Sequence, residues 1–231
     1  MPAFLAVVFA VTFGLQIGAI ALLPESLLQA ALIGLGGIAP GLIALAFGVR
    51  RGSGGRPGLA ALGALAFPPL KGLIASLAAG GLALRAQTPD PTTIYLLLFA
   101  PIFEELAWRG LLQRRWDDAL RARTGRTAGF TVPRVSLAVG LVWGLWHLPM
   151  SLDGTPLGFA VFVAHTAITS VWIGALYELG GRRVWVAMLA HAAINLRLFD
   201  VPDDAAAQVA GLAATLGFAF LTSWALAKRG E

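Results

Sequence analysis

The sequence predicts an all-α, polytopic integral membrane protein of about eight transmembrane helices, and three observations carry that expectation. Apolar residues make up 58% of the chain and charged residues 13%, about half the charged share of an ordinary soluble domain, which is roughly 25%. The apolar residues fall in long unbroken runs, and runs above ~18 residues with few charges read as bilayer-spanning helices. The basic residues then sort onto one side of the topology those runs define. A soluble Ala- and Leu-rich bundle would need polar faces that these runs lack.

Eight apolar segments can be drawn, at 3–23, 27–49, 59–84, 93–113, 135–150, 157–178, 183–199 and 205–227. The first has no basic leading region, and its run exceeds the ~7–15 residues of a signal-peptide core, so a retained helix is expected. Segments one, two and five carry the small-residue pairs Gly14/Gly18, Gly37/Gly41 and Gly140/Gly144, which suit close helix approach. The third is overlong and contains Lys71, whose stem can reach the inner interface. The fourth holds Glu104, Glu105 and Arg109, with Pro101 expected to kink it by removing the bond to Leu97. The interval from Arg114 to Arg134, with Asp117 and Asp118, reads as a helical extension and a loop at the headgroups. The fifth segment carries His147, the sixth His165, and the seventh His191 and Asn195. No fixed-period repeat stands out, so residues 1–231 are expected to form a single transmembrane domain, with a catalytic core at 93–199.

If the amino terminus is cytoplasmic, thirteen of the 17 basic residues fall in or beside cytoplasmic loops and the tail, from Arg50 to Arg229. The opposite side has Arg85 and Arg197, while Lys71 and Arg109 lie within segments. This positive-inside pattern places both termini in the cytoplasm and the chain in the cell membrane. A pI near 10.7 then reflects attraction to anionic inner-leaflet lipid and implies no nucleic-acid partner. The chain has no cysteine, which excludes disulfides, thiol nucleophiles and Cys-ligated metal.

Ionisable residues inside a membrane are costly and are functional candidates by default. At ~1.5 Å per residue, Glu104 lies ~16 Å from the outer end of its segment. His147 lies ~18 Å from the inner end of its own, and His191 and Asn195 ~12 and ~18 Å from theirs. Three helices are thus expected to bring polar groups to one level, lining a cavity, with His165 outside it. Glu105 and Arg109, and likewise His191 and Asn195, are i,i+4 pairs on one face. Trp108, Trp143 and Trp146 read as walls or packing. A carboxylate withdrawn from water suits a general base acting on water, with a histidine sharing that water. A His–Asn pair can donate to an oxyanion. Together these are parts for amide hydrolysis without a covalent nucleophile. Alternatively, Glu104, His147 and His191 could hold Zn²⁺ with one open position. There is no HExxH and no GxSxG, and no mid-helix aspartate, so zincin, serine-hydrolase and aspartyl readings lack their residues.

Glu104-Glu105-Leu-Ala-Trp-Arg109, Trp143-Gly-Leu-Trp-His147 and His191-Ala-Ala-Ile-Asn195 resemble the three motifs of the CAAX-protease and bacteriocin-processing (CPBP, or Abi) family of intramembrane endopeptidases. That pattern is EExxxR, FxxxH and HxxxN or HxxxD on separate helices of an eight-helix domain. The second motif departs from it, with Trp143 where the family usually has Phe. The resemblance covers roughly residues 93–199. It implies that Glu104 and His147 activate the water, that His191 and Asn195 stabilise the oxyanion, and that Glu105 and Arg109 support the site. The family is commonly labelled metalloprotease, although the Glu/His scheme needs no metal. It further implies a membrane-associated peptide or protein substrate, of the prenylated CAAX type or a bacteriocin-like propeptide, and a prokaryotic member. Two other classes fit the polar cluster: a non-catalytic immunity or scaffold protein, and a proton-coupled transporter. The transporter would show two similar halves, whereas the polar groups here gather in the second half.

Overall fold

Polar groups are buried among apolar ones inside this helix bundle, and large apolar side chains are exposed on its outside. The computed structural model describes residues 1–50, 95, 99–152, 154–198 and 205–228. The expected segment at 59–84 with Lys71, Leu97 and Asp153 lie outside the described residues. Thr12, Gln16, Glu105, Arg109, Gln113, Ser136 and Ser170 are buried, while Leu141, Leu145, Val161, Phe220 and Trp224 are exposed. Lipid, unlike water, accepts that exposed surface, and it forces polar groups to find partners within the bundle. The protein is an all-α, polytopic membrane protein, with no strand among the described residues.

The helices are α1 (Pro2–Leu22), α2 (Leu27–Arg50), α3 (Ala100–Glu105), a π-helical stretch (Leu106–Gln113), α4 (Arg114–Thr124), α5 (Ala128–Trp146), α6 (Pro156–Leu179), α7 (Val184–Leu198) and α8 (Ala205–Lys228). A 3₁₀ turn, Leu148–Ser151, follows α5. Four described helices are long and apolar enough to cross a bilayer: Pro2–Leu22, Leu27–Phe47, Ala128–Trp146 and Pro156–Leu179. Pro101 lies in the first turn of α3, directly after Phe99, whose backbone is itself helical.

Pro40 lies inside α2 and leaves the carbonyl of Gly36 without its i+4 donor. Thr12 Oγ1 donates to that carbonyl at 3.1 Å, and Trp146 Nε1 donates to Thr12 Oγ1 at 3.0 Å. A proline defect in one helix is thereby repaired by α1, which is in turn fixed to α5. Gly41 lies against the backbone of Phe103, so α2 packs directly beside the glutamate-bearing turn. Gly140 and Gly144 bring α5 onto α6: an added Cβ would meet Ala167 Cα at 2.6 Å and Val163 Cα at 2.9 Å. The third expected pair differs. Gly14 and Gly18 have nothing within 4 Å, because the α1 residues that face α2 are instead Thr12 and Gln16.

The largest departure from expectation is α5, which begins at Ala128, seven residues earlier than the segment at 135–150, and ends at Trp146. The polar interval from Arg114 to Arg134 is expected to hold a loop up to its end. In the structure Gly125, at φ 64°, ends α4, and the extended Thr127 restarts the chain as helix at once. His147 is therefore not mid-helix. It lies ~28 Å along α5, at its carboxyl-terminal cap.

An ion-pair clasp closes the basic end of the bundle. Arg182 donates to Asp117 at 2.5 Å, Asp118 at 2.6 Å and Glu178 at 2.8 Å, and Arg121 pairs with Asp117 at 2.6 Å and Glu178 at 2.7 Å. Burial alone would pull the Arg182 guanidinium down, but its hydrogen bonds to Asp118 and Glu178 outweigh that and hold it above its ordinary value.

Candidate active site

Glu104 and Glu105 end α3, and the chain then widens into the π-helical stretch. Such stretches are rare and gather at functional sites. Glu104 is buried, and its Oε2 accepts a hydrogen bond from Trp143 Nε1 at 2.7 Å. That leaves Oε1 as the oxygen free of this indole. Glu105 is wholly buried, and its Oε1 accepts from Arg109 Nη1 at 3.0 Å and meets His191 Nδ1 at 2.9 Å. Arg109 continues to Ser170 Oγ at 3.1 Å, and Ser170 Oγ donates to the Ser136 carbonyl at 2.7 Å. The guanidinium also lies 4.9 Å from the Trp143 ring centroid. A buried charge needs such partners to persist, and four helical elements supply them.

The two histidines have their tautomers set by what they touch. His147 Nδ1 lies 2.8 Å from the Trp143 carbonyl. A carbonyl can only accept, so Nδ1 carries the proton and Nε2 presents a lone pair. His191 Nδ1 faces the Glu105 carboxylate in the same sense. Its Nε2 is thus a lone pair in the neutral ring and a donor in the imidazolium.

Glu104, His147, His191 and Asn195 line one cavity of about 750 Å³. The rest of its wall is largely apolar, from α2 (Leu27 to Ile38), Phe99, Trp146 and Met150, with Tyr95 and Gln16 as further polar groups. His165, on α6, is half-buried and absent from this lining. The expected convergence of three motifs is therefore present, and Glu105 and Arg109 sit behind the cavity wall. Among the described residues no three His, Asp or Glu side chains stand close enough to hold one ion.

Two participants were not anticipated. Trp143 is a hydrogen-bond donor to Glu104 as well as a wall, and its ring lies edge-on to His191 at 5.0 Å. The signal was present in the sequence, since an indole offers a donor that a phenyl ring lacks. Ser170 gave no signal, because its role depends on where Gly140 brings α6.

Comparison with known proteins agrees with the motif reading. Residues 87–197 match the family model described as type II CAAX prenyl endopeptidase Rce1-like. The chain is also similar to a protein named CAAX prenyl protease 2 of Methanococcus maripaludis, at 31% identity over 81 residues. That alignment covers 35% of this chain and 24% of the relative, so the chain spans about a quarter of that relative's length. Both comparisons are likenesses of this region of the chain to CAAX-protease proteins.

Proposed function

We propose that this protein is an intramembrane endopeptidase that hydrolyses a peptide bond of a membrane-associated substrate. The observation that carries the reading is the single cavity lined by Glu104, His147, His191 and Asn195, with Glu105 and Arg109 holding His191 from behind. A water molecule has two protons to share. Glu104 Oε1 and His147 Nε2 each accept a hydrogen bond from it, which leaves an oxygen lone pair for the scissile carbonyl. As the C–O bond forms, Glu104 receives the water proton. The carbonyl oxygen becomes an oxyanion, stabilised by the Asn195 amide and by His191. Glu104 then delivers its proton to the amide nitrogen, the oxyanion re-forms the carbonyl as the C–N bond breaks, and the remaining hydroxyl proton passes by way of His147 to the amine, so that an ammonium group and a carboxylate leave.

Every group in this scheme belongs to the chain, and no step runs through a metal. The membrane is the cytoplasmic membrane, with both termini on the cytoplasmic side, as the basic loops favour. The test is purified protein in liposomes, incubated with a library of lipid-anchored peptides and read by mass spectrometry, with and without a chelator. Cleavage that survives chelation is expected. Cleavage lost to the chelator and restored by Zn²⁺ would replace the scheme with a metal-dependent one. No cleavage of any sequence would favour a non-catalytic role.

A further inference from the structure

Five residues at four-residue spacing, Glu105, Arg109, Gln113, Asp117 and Arg121, run from the end of α3 through the π-helical stretch into α4. The first four are 2% exposed or less. Opposite them α6 carries Ser170, Gly174 and Glu178 at the same spacing, and the two rows are bonded to each other. Arg109 Nη2 donates to Ser170 Oγ at 3.1 Å, Gln113 Nε2 to the Gly174 carbonyl at 3.3 Å, and Arg121 Nη2 to Glu178 Oε1 at 2.7 Å. A row of this spacing drifts off the face of a plain α-helix, because four residues overshoot a 3.6-residue turn by about 40°. Arg121 would then stand about 160° round the axis from Glu105. A π-helical turn, closed by i→i+5 bonds, holds more residues and turns that drift back. Leu106–Gln113 thus keeps both the Glu105–Arg109 pair and the ion-pair clasp against one helix. Gln113 ends the stretch, and there is no slack beside it: a Cβ at Gly174 would overlap Ser136 Oγ and meet Gln113 Oε1 at 2.8 Å.

We propose that Gln113 and Ser170 are positioning residues for His191, acting on it through Arg109 and Glu105. Neither lines the cavity. The Gly174 carbonyl can only accept, so it fixes which end of the Gln113 amide faces α6 and with it the register of the stretch that carries Arg109. Ser170 takes one nitrogen of the guanidinium and passes its own proton to the Ser136 carbonyl at 2.7 Å. The other nitrogen is thereby aimed at Glu105 Oε1, the same oxygen that meets His191 Nδ1 at 2.9 Å. Loss of either pin frees the wide turn to tighten towards α-helix, which rotates Arg109 away from the carboxylate and releases the imidazole. That this placement serves peptide cleavage rests on the proposed endopeptidase activity, whereas the placement of His191 itself does not.

Gln113→Met, which keeps the length and removes the amide, and Ser170→Ala test this, and each is read independently, so that one failing to fold leaves the other to decide. The chain has three histidines, so the ring ¹⁵N signals of histidine-labelled full-length protein in nanodiscs can each be assigned by single His→Gln replacement. Both variants should move the His191 signals far more than those of His147 and His165. Unmoved His191 signals, or equal shifts at all three rings, overturn the proposal. The second arm is cleavage of a membrane-anchored reporter peptide. Each variant should lower kcat about threefold to tenfold, the worth of one hydrogen bond, and leave KM unchanged. In a His191→Ala background neither should lower kcat further, because the group they position is gone. The same loss in that background shows a general structural role and overturns the proposal. If the unaltered protein cuts no reporter while the His191 signals shift as expected, the endopeptidase reading fails and the positioning stands.

Discussion

The indole Nε1 of Trp143 donates a hydrogen bond to Oε2 of Glu104 at 2.7 Å, joining two helices across 39 residues of sequence. This one bond fixes the orientation of the carboxylate and decides which of its oxygens meets water. The same residue accepts His147 Nδ1–H at its carbonyl and places its ring against His191 and Arg109. It touches Glu104, His147, His191 and Arg109.

Replacing Trp143 by Phe keeps a ring in that place but removes the donor. Hydrogen bonds to charged groups contribute about 1.5–3 kcal/mol, so turnover should fall roughly ten- to a hundredfold. KM and the thermal midpoint should change little. Steady-state kinetics on a cleaved reporter check this, and an unchanged kcat would show that the indole does not position Glu104.

Arg109→Ala would leave Glu105 buried with only His191 for company. Losing one partner of a dry ion pair costs about 3–5 kcal/mol, so thermal unfolding in detergent should show a large loss. Arg109→Met combined with Glu105→Gln should recover part of it. If the double variant is less stable than Arg109→Ala, the loss is one of packing and not of charge.

Gly140→Ala and Gly14→Ala should act in opposite directions. A Cβ at Gly140 would meet Ser170 Cβ at 2.5 Å and Ala167 Cα at 2.6 Å, pushing α6 and its Ser170–Arg109 contact away for about 1–3 kcal/mol. Gly14 has open space around it, and alanine there should be neutral or stabilising by up to about 1 kcal/mol. Paired melting curves distinguish the two.

Arg182 has φ 60°, a left-handed conformation that strains any side chain with a Cβ. Both Arg182→Ala and Arg182→Gly lose the clasp, yet the glycine variant should be more stable by about 1 kcal/mol. Equal midpoints would show that the loop relaxes when its ion pairs are gone.

Much of this was legible from residue pattern. Six of the eight apolar segments correspond to described helices at 2–22, 27–50, 128–146, 156–179, 184–198 and 205–228, because apolar runs in lipid leave a chain little choice but helix. The Glu105–Arg109 pair followed from i,i+4 spacing. The start of α5 was missed because the polar interval from Arg114 to Arg134 reads as reaching the membrane surface, whereas Gly125 ends α4 and α5 begins at Ala128. The π-helical stretch could not be read, since a single extra residue per turn leaves the apolar pattern intact. The Thr12 repair of Pro40, and the Ser170 contact to Arg109, depend on which helices become neighbours. No local spacing encodes that.

The most direct test of the account is Glu104→Gln, assayed on a membrane-anchored reporter beside the unaltered protein. The amide has the same volume, and its oxygen can still accept from Trp143, but it cannot take the proton of water. His191→Ala and Asn195→Ala, as lost oxyanion donors, should each cost roughly 10²–10³-fold in turnover. Glu104→Gln should retain the unaltered melting temperature and show no cleavage at all. Cleavage by Glu104→Gln at a rate near that of the unaltered protein would contradict the account.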